Sequence, residues 1–507
     1  MGPKDTKRTW LNRMVSEYKN EFTTDGEVLF CCYCNEALRC DKKSQVTQHR
    51  RTKKHVPPQS SSSQTLLTSN FQESDAKKRR NDEYFDDLCH SLVDADIPFH
   101  KLKNPRFSAF LEKYTCHKTP DESTLRKNYL PKLYDETLAH IRASLQGSKI
   151  WVGVDETTDA AGRYIANVIV GDLSADTPGS VYLLTSEQLD KANNATISQL
   201  ALNALQLLWP EGIKYNDVLL FLSDAAAYMK KAVRSLSAIF PRMIHLTCLA
   251  HGLHRLAEKV RDLHPEVDKL IAVIKRIFVK AGSRRCLFKQ MFPDVRLPPN
   301  PVLTRWGTWI EAVIYYASHF DAVQAVIQSL DEGDNSAISQ AKELMQSSSL
   351  KEGLTFIAST FSTLPSAIEK LESSKNELVT SLQILQSVKA SLETLSGEKG
   401  VQLKAKLDSV LLANPGLQQL CRIATMLSGD DSIRVLVDGD EKSEPPLNLP
   451  PSDLLKFKYA PVTSCDVERS FSRYKAILTD QRRSFTMENI KRYMVVNCNQ
   501  VSSLSTD

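Results

Sequence analysis

The chain has 507 residues, which favours about three domains, and 42% of them are hydrophobic, which is enough for buried cores and excludes disorder of the whole chain. No run of about 18 apolar residues occurs, so we expect no membrane span. The net charge of +5 is unevenly placed, because residues 1–80 carry 16 Lys and Arg against 9 Asp and Glu. A basic N-terminal region predicts contact with a polyanion, and a solvated charged surface is the alternative.

The cysteines and the first residues bear on the cellular compartment. The chain contains 11 cysteines, an odd number spread thinly, and residues 1–20 are polar almost throughout, unlike a secretory signal. We therefore predict reduced thiols in the cytosol or nucleus. The basic cluster at residues 77–80 (KKRR) follows a segment rich in Pro, Ser and Gln, and it favours the nucleus.

A zinc finger is predicted within residues 1–57. Two cysteines separated by two residues are followed, after 14 residues, by two histidines separated by five residues: Cys31, Cys34, His49 and His55. Two thiolates and two imidazoles at this spacing fit a tetrahedral Zn²⁺ site closed by four protein ligands, which is a structural site. Cys32 remains open as an alternative to Cys31.

Basic side chains surround the predicted histidine ligands: Lys42, Lys43, Arg50, Arg51, Lys53 and Lys54. A helix carrying His49 would present these cations to a groove or to the backbone of DNA. The alternative is a finger that binds protein.

After residue 57, the spacing of the apolar side chains changes from segment to segment. Residues 58–80 are predicted to be a basic linker, and residues 81–148 have apolar side chains at helix-like intervals. Short β-type runs then occur at 149–155, 164–170, 181–185, 218–222 and 243–246, with an amphipathic helix at 197–208. Residues 149–247 therefore outline a mixed α/β sheet.

The remaining chain is predicted to be helical. Residues 248–455 contain a long apolar stripe, in which Pro365 and irregular steps favour an all-α domain over a coiled coil. A last helical block falls within residues 456–500.

Two aspartates stand at the predicted ends of β-strands, Asp155 after the first and Asp224 after the fourth. Carboxylates at neighbouring strand ends can share two divalent cations, and hard oxygen ligands suit Mg²⁺. Such ions support in-line phosphoryl transfer. Glu156 and Asp159 are alternatives to Asp155, since charge does not separate them.

Five segments, in this order, resemble the motifs of hAT transposases: residues 154–159 (VDETTD), 221–227 (FLSDAAA), 248–251 (CLAH), 304–306 (TRW) and 466–472 (DVERSFS). Five motifs in one order occur by chance far more rarely than any one of them. Two positions depart from the family pattern: Thr157 replaces the Trp that follows its first Asp, and Tyr228 replaces the Asn that follows its second Asp.

The resemblance implies a multidomain α plus α/β fold, with an RNase H-like core interrupted by a large all-α insertion domain. It implies that Asp155, Asp224 and Glu468 form a DDE triad that binds Mg²⁺ or Mn²⁺. Such an enzyme cuts DNA at transposon ends, forms hairpins on the flanks and joins 3′ hydroxyls to a target. It also implies a DNA-binding and dimerisation domain at 81–148 and a C-terminal dimerisation region, hence a homodimer or higher oligomer.

The same resemblance gives roles to two further motifs. Trp306 would stack on a base flipped from the flank, with Arg305 on a phosphate; without the resemblance, Trp306 and Trp309 are expected to be core aromatics. Cys248 and His251 lack two further ligands, so zinc is not expected there. The resemblance implies instead that they support the active site.

Three functions remain open. The finger resembles that of the CGG-repeat-binding protein through residues 29–31 (LFC) and 51–55 (RTKKH). An active transposase, a domesticated DNA-binding regulator without chemistry and a nuclear scaffold therefore compete. The three carboxylates favour the first. The sequence lacks nucleotide-binding Gly-rich loops and a nucleophile elbow, which disfavours an ATP-driven motor, a dinucleotide enzyme and a serine hydrolase.

Overall fold

The structure, a computed structural model, describes residues 7–19, 21–34, 36–52, 55, 80–302, 306–373, 375–430, 433, 436, 447–478 and 485–499, with only the backbone of Trp306. The chain divides into two compact units, Met1–Tyr84 and Phe85–Asp507. Within the described residues, no helix is long and apolar enough to cross a membrane.

The N-terminal unit is a small α/β knuckle. Its elements are α1 (Lys7–Glu17), β1 (Phe22–Thr24), β2 (Leu29–Cys31), β3 (Glu36–Leu38) and α2 (Lys43–Arg50). The three strands form an antiparallel sheet in the order β1-β2-β3. Leu11 and Met14, three residues apart on α1, pack with Phe22, Leu29 and Val46 in a core separate from that of the rest of the chain.

Helices precede the large sheet. They are α3 (residues 80–94), α4 (Pro105–Thr115), α5 (Glu122–Thr124) and α6 (Leu130–Ser144), with a π-helical turn at Leu125–Tyr129 between the last two. Asn104 caps α4, since its Oδ1 accepts hydrogen bonds from the backbone N–H groups of Arg106 and Phe107. The helices expected between residues 81 and 148 are therefore present.

A five-stranded mixed sheet is the centre of the second unit. Its strands are β4 (Lys149–Thr158), β5 (Tyr164–Leu173), β6 (Val181–Leu189), β7 (Val218–Ser223) and β8 (Ile244–Thr247), in the order β6-β5-β4-β7-β8. Strand β5 runs in the direction opposite to the other four strands. Helix α7 (Asn194–Leu208) lies between β6 and β7 in the chain, and α8 (Ala227–Ser237) lies between β7 and β8. The predicted mixed sheet is confirmed, and every residue of β7 is buried, as expected for a strand covered on both faces.

One predicted strand end is wrong. Asp155 does not close β4, because β4 pairs with β5 as far as Thr158, opposite Tyr164. The pairing of β4 with β7 does end earlier, at Gly153 opposite Leu222. Asp155 therefore lies beyond the last residue of β4 that is paired with its parallel neighbour.

The chain then leaves the sheet for an all-α region. Its helices are α9 (Leu249–Asp262), α10 (Pro265–Phe278), α11 (Gly282–Met291), α12 (Trp306–Ser318), α13 (Phe320–Ser329), α14 (Ser336–Leu344), α15 (Ser348–Phe361), α16 (Leu364–Leu371), α17 (Leu378–Glu393), α18 (Gly397–Leu412) and α19 (Leu417–Ser428). The predicted apolar stripe is divided among three of these helices. Pro365 lies in the first turn of α16, where a proline is tolerated and a continuous helix cannot pass.

The chain returns to the sheet at its C-terminal end. After α20 (Pro451–Leu454) and a 3₁₀ turn at Leu455–Tyr459, α21 (Cys465–Ile477) packs on β4 and β5, and α22 (Met487–Cys498) packs on β6 and α6. The Asn499 amide donates to the Leu183 carbonyl oxygen, 2.7 Å away, and accepts from the Leu183 N–H. Elements distant in sequence thus complete the core around the sheet.

Candidate metal centres

The four predicted zinc ligands converge in the N-terminal unit. Cys31 ends β2, Cys34 lies in the following turn, His49 lies on α2 and His55 follows that helix. One candidate ligand atom from each residue lies within 4.8 Å of the other three. The distance from Cys31 Sγ to His55 Nδ1 is 3.3 Å, and that from Cys34 Sγ to the same nitrogen is 3.8 Å. The site is compatible with structural Zn²⁺, because two thiolates and two imidazoles face one point.

A carboxylate orients one of these imidazoles. Glu21 Oε2 lies 3.2 Å from Nε2 of His55, the ring nitrogen opposite the one that faces the cysteines. The same carboxylate accepts two hydrogen bonds from the Arg50 guanidinium, which lower its pKa although burial opposes them. Metal-ligating histidines commonly donate their second N–H in this way. Glu21 was not predicted, since nothing in the ligand spacing points to it.

The other imidazole also fits a metal. Nε2 of His49 is buried and has no hydrogen-bond partner among the described residues. Burial lowers the pKa of His49, and the neighbouring His55 adds to this effect, so the neutral form that binds metal is favoured. Cys32, the alternative ligand, is exposed, whereas Cys31 is buried within the cluster. The geometry therefore favours Cys31.

The predicted DNA-contacting cations of this unit differ in their surroundings. Lys43 forms an ion pair with Glu17, and Arg50 is held by Glu21 and also lies over the Tyr18 ring. Two others, Lys42 and Arg51, are exposed. Lys53 and Lys54 lie outside the described residues, as does most of the basic cluster at 77–80.

The second candidate site lies at the edge of the mixed sheet. Asp155 and Asp224 each stand two residues beyond Gly153 and Leu222, the last residues at which β4 and β7 pair with each other. Because these strands are parallel and adjacent, the two aspartates occupy the same end of the sheet. The carboxylate of Asp155 accepts from the N–H of Glu156, and that of Asp224 accepts from the N–H of Ala226.

Asp159, the alternative to Asp155, has another role. It lies in the turn between β4 and β5, where its carboxylate accepts from the backbone and the guanidinium of Arg163 and from the Tyr474 hydroxyl. Burial raises the pKa of Asp159, but the hydrogen bonds from Arg163 outweigh it and the pKa is lowered. A carboxylate used in this way closes a turn, which favours Asp155 as the site residue.

Glu468 lies in the first turn of α21, close to a histidine of α9. Its Oε1 is 3.3 Å from Nε2 of His251. Cys248 directly precedes α9 and makes two hydrogen bonds to other elements. Its backbone N–H donates to the carbonyl oxygen of Ser223, and its sulfur accepts from the backbone N–H of Ser464. The buried Cys248 thus ties the end of β7 to the residue that precedes α21, and it places His251 one turn further along α9.

The pKa values of three residues at this edge of the sheet are shifted strongly from their ordinary values. Burial raises the pKa of Asp155 to about 8; the nearby His251 opposes the shift and Asp224 adds to it. Burial and Asp224 also raise the pKa of Glu156 to about 7. Burial disfavours the charged form of His251, but Cys248, Glu468 and Asp155 outweigh it and raise its pKa to about 10. Carboxylates in this environment would be stabilised by a cation.

The three predicted carboxylates do not meet as closely as the zinc ligands. Among the described residues, no cluster with all ligand atoms within 4.8 Å joins Asp155, Asp224 and Glu468. Sequence reasoning also missed Cys465, which is buried beside Cys248. The sequence carries no signal for this pairing, because the two cysteines are more than 200 residues apart.

The structure describes only part of the motif at residues 304–306 (TRW). Arg305 lies outside the described residues, and Trp306 begins α12 without a described side chain. Trp309 is a core aromatic: it is buried, and its indole N–H donates to Asp268 Oδ1 at 3.1 Å.

Known proteins resemble two parts of the chain. Residues 120–281 match a domain of unknown function (DUF659), and residues 6–61 match the CGGBP1 N-terminal domain. The mouse (Mus musculus) and human (Homo sapiens) CGG triplet repeat-binding protein 1 are each 28% identical to the chain over 130 residues, which is 24% of this chain and 78% of the relative. These matches support a relation to hAT transposases, with an N-terminus similar to that of the CGG triplet repeat-binding proteins.

Proposed function

We propose that this protein is a hAT-type DNA transposase, a phosphoryl transferase that cuts DNA at transposon ends, forms flank hairpins and joins 3′ hydroxyls to a target. The observation that carries the proposal is the edge of the sheet at which Asp155 and Asp224 follow paired positions of adjacent parallel strands. In the first turn of α21, Oε1 of Glu468 lies 3.3 Å from Nε2 of His251, and His251 is near enough to Asp155 to lower the pKa of that carboxyl. The resemblance to hAT transposases supplies the reaction.

The strand order supports an RNase H-like core. Three strands form consecutive antiparallel pairs, the first of them also pairs in parallel with the fourth, and the fifth lies outside the fourth. Helix α21 packs on β4 and β5 after a long all-α excursion. An interrupted core of this kind is what the resemblance implies.

The carboxylates would hold Mg²⁺ or Mn²⁺, which, when bound, activates the attacking oxygen and stabilises the leaving oxygen. Asp155 and Asp224 offer hard oxygen ligands from rigid strand ends. Because His251 lies within 3.3 Å of Glu468, it holds that carboxylate in place on α21. The half-buried side chain of Glu156 adds a buried carboxylate oxygen, Oε2, without a hydrogen-bond partner among the described residues.

The N-terminal unit supports binding to DNA in the nucleus. Its relatives are named for binding a CGG triplet repeat. Lys42 and Arg51 are the exposed cations we assign to phosphate contacts, together with Lys53 and Lys54. The proposed DNA-binding and dimerisation domain at residues 81–148 gains support from α4, which buries none of its residues.

The exposed surface of α4 combines aromatic and basic side chains. Phe110 and Tyr114 are 55% and 67% exposed, and Lys113 lies over the Tyr114 ring. Aromatic rings with nearby cations are typical of surfaces that contact nucleic acid.

Incubation of the purified full chain with Mg²⁺ or Mn²⁺ and end-labelled DNA from the termini of the element tests the proposal. We expect nicks and hairpins, and we expect Asp224→Asn and Asp155→Asn to reduce them to the level without protein. The matched control is Asp190→Asn, an exposed aspartate after β6, which should cleave like the wild type. Equal cleavage by Asp224→Asn would overturn the assignment.

A domesticated DNA-binding regulator is the second candidate. Thr157 and Tyr228 stand where the family pattern has Trp and Asn, and residues 6–61 match the CGGBP1 N-terminal domain. This candidate predicts salt-dependent DNA binding that is lost in His49→Ala, with no cleavage under any metal condition.

A further inference from the structure

A second basic segment lies in the all-α region, far from the zinc finger in sequence. Residues 275–302 contain seven Lys and Arg and one Asp, a net charge of +6. Residues 81–507 together carry a net charge of −2, so this segment is basic within an otherwise acidic part of the chain. Such a local excess of cations is the electrostatic mark of a polyanion site.

The structure gives this segment a cavity. It has a volume of about 240 Å³ and lies between the end of α10, the start of α11 and the segment at residues 297–300. One part of its lining is apolar and consists of Phe278, Leu297, Pro298 and Pro299. Phe278 packs edge-to-face on Phe288 at 5.7 Å between ring centroids, which holds this wall in place.

Three cations line the same cavity: Lys275, Lys280 and Arg285. Among the described residues, none of the three takes part in an ion pair, whereas the neighbouring Arg284 lies 3.8 Å from Asp334. Lys280 adopts a left-handed backbone conformation with φ of 55°, at the turn between α10 and α11. The cavity therefore combines apolar side chains with three cations that form no ion pair with any residue the structure describes.

We propose that this cavity binds an unpaired nucleotide of a DNA strand, with its base against the apolar wall and its phosphates on Lys280 and Arg285. A flat ring next to a phosphodiester matches a cavity of apolar walls and cations. Its volume suits a single base and is too small for a duplex. The inference rests on the proposed DNA function, and it concerns residues outside the motifs that define that function.

The position in the chain supports this assignment. The segment that lines the cavity continues into Val302, whose backbone N–H donates to the Thr308 hydroxyl at 2.9 Å. This hydrogen bond fixes the segment to the first turns of α12. A DNA strand bound in the cavity would therefore contact a segment that is hydrogen-bonded to α12, the helix that begins at Trp306.

Fluorescence anisotropy of the full chain with labelled oligo(dT) of about 12 nucleotides, and separately with a labelled duplex, tests the proposal. The cavity variant is Lys280→Asn with Arg285→Gln, since asparagine tolerates the left-handed conformation. The control variant is Lys269→Gln with Lys399→Gln, two exposed lysines of the all-α region that do not line the cavity. Both variants remove two positive charges, and unchanged melting temperatures show that they fold.

We expect the cavity variant to bind oligo(dT) about tenfold more weakly at 0.1 M salt, with the slope of log affinity against log salt reduced by about 1.4. Duplex binding should change less than about twofold in either variant, because the zinc finger supplies it. Equal losses of oligo(dT) binding in the two variants would overturn the proposal. A wild-type chain that binds duplex but not oligo(dT) overturns it and leaves the proposed function standing, whereas binding of neither overturns both.

Discussion

The two candidate metal centres are built in opposite ways. The cysteine and histidine ligands of the N-terminal unit fall within 25 residues, and their ligand atoms lie within 4.8 Å of one another. The three carboxylates of the second site come from β4, from the residue after β7 and from α21. The first and the last of them are more than 300 residues apart in the sequence. The four ligands of the first site suit a structural Zn²⁺. In the proposed function, the carboxylates of the second site would share their metal ions with substrate oxygens.

The largest expected effect is on the N-terminal unit. Cys34→Ser should abolish Zn²⁺ binding and unfold residues 7–55, because the binding free energy of structural zinc, about 10–16 kcal/mol, is also folding free energy in small units. Hydrogen exchange measured by mass spectrometry on the full chain would show fast exchange there and unchanged exchange in β4 to β8. Cys32→Ser is the control and should keep its zinc; loss of zinc in that variant would make Cys32 the ligand.

A smaller effect is expected from the carboxylate that supports the site. Glu21→Gln keeps the size of the side chain but removes the charge that faces His55, so the affinity for Zn²⁺ should fall about 10–100-fold. Titration against a competing chelator measures this change. Glu27→Gln, an exposed glutamate of the same unit, should bind zinc as the wild type does. Equal affinities of the two variants would remove Glu21 from the site.

The stability of the second unit should depend on pH through His245, which lies on β8 of the large sheet. Burial lowers the pKa of His245 to about 4, and its Nε2 lies 2.9 Å from Ser223 Oγ. The unfolded chain takes up a proton near pH 6.5 and the folded chain does not, so the free energy of unfolding falls as the pH drops below 6.5. Between pH 7.5 and 5 this group should cost about 2 kcal/mol.

Urea unfolding at the two pH values measures the contribution of His245. His245→Gln should reduce the difference between them by about this amount, whereas His140→Gln, at an exposed histidine of α6, should leave it unchanged. An unchanged pH dependence in His245→Gln would show that the histidine is solvated in the folded protein.

The smallest effect concerns the approach of α21 to the sheet. A Cβ at Gly153 would lie 3.2 Å from Trp151 Cζ3 and 3.2 Å from Val467 Cγ2. Gly153→Ala should therefore lower the free energy of unfolding by about 1–2 kcal/mol, measured by urea unfolding. Gly282→Ala, where a Cβ has open space, should be neutral or slightly stabilising. An unchanged free energy of unfolding in Gly153→Ala would mean that α21 can shift away from β4 without loss of stability.

The sequence by itself determined the local features. The spacing of Cys31, Cys34, His49 and His55 predicted a site that the structure assembles, because ligands close in sequence need only one turn and one helix to meet. Alternating and continuous apolar runs predicted the strands, and Pro365 predicted the interruption of the long apolar stripe. These features depend on periods of two to four residues, which a single sequence displays.

Only the tertiary structure decided which distant residues share a site. Asp159 and Asp155 look alike in sequence, but the turn that holds Arg163 engages the first and leaves the second at the sheet edge. Glu21 gave no sequence signal, and the basic segment at residues 275–302 did not by itself reveal a cavity, since a carboxylate or a lysine acquires its role from neighbours that folding brings near. Long-range contacts depend on strand order and helix packing, and these are set by the whole core rather than by any one segment.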